Sequence, residues 1–118
     1  MDTIRMAIPV FNGRISPVLD ACTQIGIFDY EQKNEVKRHT IWVDGFSLSE
    51  RLANLEKLGV NVIICCGISD VLHKLLKSKN IRVIAGRIGE IEEVVDAFFC
   101  NQLDNECFLM PGYSITNK

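Results

Sequence analysis

Two adjacent thiols, Cys65 and Cys66, are the side chains of this sequence best suited to soft-ligand chemistry. They close the apolar run Val60 to Cys65 and stand just before Ser69, a residue able to cap a helix that presents Val71, Leu72, Leu75 and Leu76. The partial positive charge of a helix N-terminus lowers a thiol pKa and favours thiolate, the form that binds metal. If both cysteines belong to a strand, their side chains point to opposite faces and cannot chelate one ion as a Cys-x-x-Cys pair does. One of the two is thus a candidate ligand. The competing expectation is packing, since free cysteine is among the most buried residue types.

Other polar residues offer less. Gly86-Arg87-Ile88-Gly89 resembles an anion loop, but Glu90, Glu92 and Glu93 follow it and would repel phosphate, so a plain strand-to-helix turn is expected. No Gly-x-Gly-x-x-Gly and no Gly-Lys-Ser/Thr occurs. His39 and His73 are expected at the surface or the edge of the core, Cys22, Cys100 and Cys107 in packing roles, and Asp20 as a turn cap.

The elements that must position these groups follow from periodicity. Ile4 to Val10 reads as a first strand running into the turn Phe11-Asn12-Gly13, and Gln24 to Tyr30 with Glu35 to Val43 reads as an antiparallel hairpin. From Ser47 the period becomes helical through Leu48, Leu52, Leu55 and Leu58, with Ser47 and Glu50 as a capping box and Gly59 as the stop. A strand from Val60 to Cys65, a helix after Ser69 and a strand from Ile81 to Ala85 come next. The last helix carries Ile91, Val94, Val95, Phe98 and Phe99, of which Val94 and Phe98 are expected in the core. The segment from Cys100 onward reads as irregular.

Right-handed crossovers then give an α/β domain spanning 1–118, in three layers, with a five-stranded mixed sheet of order 3-2-1-4-5 whose second strand alone is antiparallel. That arrangement is ribonuclease H-like. Its ligand crevice is expected at the carboxyl ends of the first and fourth strands, among Asn12, Gly13, Arg14 and Ser16 on one side and Cys65, Cys66, Gly67 and Ser69 on the other. A nuclease of that class needs acidic residues on the first strand to hold two metal ions, and Ile4-Arg5-Met6-Ala7-Ile8-Pro9-Val10 has none. The remaining sequence shows no catalytic constellation, so a binding role is expected rather than an enzymatic one.

Composition bounds the partners. At 118 residues and 47% hydrophobic the chain can build a packed core without disulfides. A net charge of −2 without a basic run argues against nucleic acid, and no segment is long enough to cross a bilayer. Five cysteines without Cys-x-x-Cys spacing or a leader point to reduced thiols in a cytoplasm.

Three motifs in order carry a resemblance: Ile8-Pro9-Val10 followed by Gly13 to Asp20, then Gly59 to Ser69, then Phe108-Leu109-Met110-Pro111-Gly112. Together they resemble the dinitrogenase iron-molybdenum cofactor biosynthesis family, which includes the NifX and NafY carriers and the C-terminal domain of NifB. The resemblance implies a non-enzymatic carrier or chaperone for an iron-sulfur or iron-molybdenum cluster or its precursor, exchanging it with a donor or acceptor protein. It implies Cys65 as the metal ligand, matching the single cysteine of the family motif, with Cys66 as its packing neighbour. Gly13, Arg14, Ser16, Gly67 and Ser69 would line the site. This chain departs from the pattern at Leu19-Asp20-Ala21-Cys22, where many relatives carry His-Phe-Gly, and at Tyr113, where close relatives end in cysteine. A protein-interaction or regulatory domain of the same fold that has lost the cluster is the alternative reading.

Overall fold

A computed structural model describes residues 3–113; the outermost residues of the expected 1–118 domain, 1–2 and 114–118, lie outside them. The sheet is built on β1 (Thr3–Phe11), whose segment Met6 to Pro9 is buried because both faces are covered. β3 (Gln24–Glu31) pairs antiparallel with β1, and β4 (Asn34–Trp42) pairs antiparallel with β3 across a turn in which Gln32 and Lys33 both take positive φ. On the other side of β1, β5 (Val62–Ile64) and β6 (Arg82–Ile84) add in parallel. The path is β4-β3-β1-β5-β6.

A sixth strand corrects the expected count of five. β2 (Arg14–Ile15) folds back on the end of β1, with Val10 facing Ile15 and Phe11 facing Arg14. The reason is local: Asn12 and Gly13 have φ of 52° and 77°, so this Asn-Gly pair closes a two-residue hairpin rather than opening a loop.

Helices cover both faces. α1 (Leu48–Lys57) begins at the Ser47–Glu50 capping box, and α2 (Asp70–Ser78) begins at Ser69, whose hydroxyl accepts from the Leu72 N–H. These two pack Leu55, Leu72 and Leu76 over Ala7, Ile25, Ile27 and Ile63. α3 (Ile91–Phe99) lies on the opposite face, with Val94 and Val95 over Met6, Ile8, Phe28 and Ile64. Val94 is fully buried, as its position in the pattern implies. Phe98 is not a core residue as expected: Ala97 takes the buried position, and Phe98 is half-buried, edge-on to Phe99 and below the Arg82 guanidinium.

The segment after α3 is more ordered than its composition suggests. It turns through Leu103, makes a 3-10 turn at Glu106–Phe108, and pairs Leu109 with Arg87 beyond the end of β6. The buried Arg87 holds it, donating to the Leu103 carbonyl at 2.9 Å and to Asp104 at 2.9 Å.

Candidate functional site

The carboxyl end of the parallel strands is formed by the residues after β2, β5 and β6 together with the segment around Met110. No open crevice separates β1 from β5 there. The Gly67 N–H donates to the Pro17 carbonyl and the Leu19 N–H to the Gly67 carbonyl, both at 2.8 Å, so the chain after β2 is stitched onto the chain after β5. Gly67 is required by this contact, since a Cβ at that position would sit 2.8 Å from the Pro17 carbonyl oxygen.

The loop is pinned from both ends. Asp20, expected to cap a local turn, instead reaches across the loops and accepts from the Ser69 N–H at 2.9 Å and from the Ser69 hydroxyl at 2.5 Å. The positive end of α2, expected to favour thiolate or an anionic ligand, is therefore already answered by a carboxylate. Arg51 of α1, buried to 3% exposure, donates to the carbonyls of Phe46 and Cys22 and lies 3.4 Å from that of Leu19. It was absent from the sequence reading although it left a signal there, standing on the apolar stripe of α1 three residues after Leu48 and four before Leu55.

The two cysteines follow the end of β5 (Val62–Ile64) and pack on opposite faces of the sheet. Cys65 is fully buried among Leu72, Ile63 and Cys22 on the α1–α2 side. Burial pushes its thiol up to about 12, and the nearby Cys66 and Asp20 add to the effect. It is a neutral core thiol at neutral pH, whereas the helix N-terminus at Ser69 was expected to favour its thiolate. Cys66, expected to be the packing residue, is half-buried on the opposite side and places its Sγ 3.5 Å from Sδ of Met110. Its thiol is also raised by burial, partly offset by a hydrogen bond from the Gly67 backbone.

The other expected residues separate. Gly13 and Arg14 sit at the N-terminus of α3, where the Gly13 carbonyl accepts from the Ile91 N–H at 3.0 Å and Arg14 lies 3.9 Å from Glu90. They border a cavity of about 440 Å³ with Phe28, Arg38 and Glu92. Ser16 is buried, its N–H held by the Pro9 carbonyl at 2.8 Å. Gly67 and Ser69 stay with Cys65. A larger cavity of about 800 Å³ lies elsewhere, between β6, the end of α3 and Tyr113, and does not reach either cysteine. Among the described residues no three His, Cys, Asp or Glu side chains converge as a metal cage.

The family model described as dinitrogenase iron-molybdenum cofactor matches residues 2–101. No curated protein is significantly similar to the chain. Among solved structures, PH0822 superposes with a TM-score of 0.77 at 21% identity, covering 84% of this chain and 93% of its own. MJ0327 of Methanocaldococcus jannaschii, described as a candidate dinitrogenase, gives 0.72 at 22% identity over 86% of this chain and 93% of its own. TM1290 of Thermotoga, described as a candidate NifB protein of the DUF35 family, gives 0.68 at 19% identity over 84% of this chain and 90% of its own. At these identities the likeness is one of fold.

Proposed function

Since the chain belongs to the dinitrogenase iron-molybdenum cofactor family, we propose that it is a non-enzymatic carrier or chaperone for an iron-sulfur or iron-molybdenum cluster or its precursor. The cluster is cargo, taken from a donor protein and passed to an acceptor in a reducing cytoplasm, and the fold that presents it is ribonuclease H-like. The observation that carries this reading is the half-buried Cys66 sulfur at the carboxyl end of the parallel strands. One protein thiol at the site suits cargo that must leave again, because attachment at few points keeps exchange with a partner's thiols open. Arg14 borders a separate cavity where it faces Glu90, and Gly13 fixes the β1–β2 hairpin that carries it. Ser16, Gly67 and Ser69 act as scaffold, and Cys65 as core.

A second reading, an interaction domain without cluster, is favoured by exposed apolar side chains, Phe11 at 59% and Trp42 at 68%. Anaerobic reconstitution with iron and sulfide, followed by metal analysis and visible spectroscopy, decides between them. The carrier reading expects iron retained by the wild type and by Cys65→Ala, and most of it lost from Cys66→Ala. A wild-type chain that emerges colourless and free of iron overturns it.

A further inference from the structure

We propose that Cys66 and Met110 together form a mononuclear site for a soft monovalent cation, Cu(I), with a thiolate and a thioether as its two protein ligands. This goes beyond the cluster reading and does not depend on it, since it rests on a contact between two sulfurs, 3.5 Å apart, from segments separated by 44 residues.

The contact is built by the backbone. The Met110 N–H donates to the Gly86 carbonyl at 2.9 Å, and the Gly86 N–H donates to the Cys66 carbonyl at 2.8 Å. The loop segments carrying the two sulfurs are thus joined through Gly86. Gly86 suits that position, because it has φ of +75° and the Tyr113 ring fills the space a Cβ would need. Arg87, beside it, ties the same segment down through Asp104. Both sulfur-bearing residues are half-buried, and Cys66 packs against the cluster that contains Ile64 and Phe108.

The donor types set the metal. Thiolate and thioether are soft ligands that select Cu(I), whereas structural Zn²⁺ takes four nitrogen or sulfur ligands. With metal–sulfur bonds of about 2.3 Å, sulfurs at the observed spacing subtend an angle of about 100° at the ion, nearer the tetrahedral value than the trigonal or linear one, so further positions on the ion stay open. Cys66 enters as the thiol. Binding replaces its S–H bond with an S–Cu bond and releases one proton to solvent per ion, with no change of oxidation state.

The test uses the full chain with the exposed Cys100 and Cys107 replaced by serine, reduced and free of oxygen, titrated with Cu(I) against a chromogenic competing chelator. The expected result is one Cu(I) per chain, lost in Cys66→Ala, retained in Cys65→Ala, and weakened in Met110→Leu by at least the roughly tenfold that an outer-shell partner alone is worth. Selenomethionine-labelled protein should show a selenium neighbour in the copper X-ray absorption spectrum that Met110→Leu removes, a readout independent of any loss of stability. Met110→Leu binding as tightly as its parent, or labelled protein without a copper–selenium distance, overturns the proposal. Iron-sulfide reconstitution of the same proteins reads the carrier function separately, so either idea can fail while the other stands.

Discussion

The carboxyl end of the sheet has two sides that meet at consecutive residues. On the α1–α2 side, Cys65 is sealed beneath a loop that is stitched through Gly67, capped through Asp20 and clamped by Arg51. On the other side, Cys66 lies under a segment held mainly by Arg87 and a few backbone hydrogen bonds, and it keeps access to solvent. Adjacent residues of like chemistry thus become a core thiol and a candidate ligand through their covering alone.

The comparison can be broken most forcefully at Arg51. Arg51→Ala strips donors from the carbonyls of Phe46 and Cys22 inside the sealed side and should cost about 3 kcal/mol. Urea unfolding that shows less than about 1 kcal/mol would mean the loop is not clamped as described. Gly67→Ala should follow at about 2 kcal/mol, since its methyl group would press on the Pro17 carbonyl. A stability equal to wild type would show that the two loops are not stitched. On the open side Phe98→Ala should cost only about 1 to 2 kcal/mol, because the ring borders the 800 Å³ cavity rather than filling the core. A loss of about 4 kcal/mol in the same assay would mean that this side is packed as tightly as the other.

The smallest effect at neutral pH, and the sharpest discriminator, is thiol reactivity. Timed alkylation read by mass spectrometry should modify Cys66 well before Cys65, and equal rates would erase the distinction. The same burial has a signature in alkali. The Cys65 pKa rises from 9.0 to about 12 on folding, so the unfolded thiol ionises first. Its contribution to stability is intact below pH 9 and is lost as the pH climbs toward 12. Cys65→Ala should flatten that part of the stability profile, and an unchanged slope would argue against burial of the thiol.

Much of this was legible where the signal is local. Ser47 with Glu50, Ser69, and the apolar run around Ile63 announce their elements through caps and periodicity. The β1–β2 hairpin was equally local, and Asn12-Gly13 carried it in plain view. Cys65 and Cys66 do face apart, as they would in a strand, although β5 ends at Ile64 before either of them. Which of them is sealed was not legible, because it depends on Pro17, Asp20 and Arg51 on one side and on Met110 on the other, all distant in sequence. Arg87 left no local trace, since its partners Leu103 and Asp104 lie beyond a whole helix.

The distance from Cys66 to Met110 along the chain also has a meaning in time. A ribosome adding about 5 to 20 residues per second needs roughly 2 to 9 seconds to cover those 44 residues. Throughout that interval the nascent thiol has no thioether beside it, and it is open to whatever metal or oxidant it meets. Met110 also lies past residue 101, where the family match ends, so a chain cut there would keep the matched region and leave Cys66 in its newborn state permanently. The stretch after α3 thus acts as a finishing step, converting a bare cysteine into a paired one only once Met110 has been added.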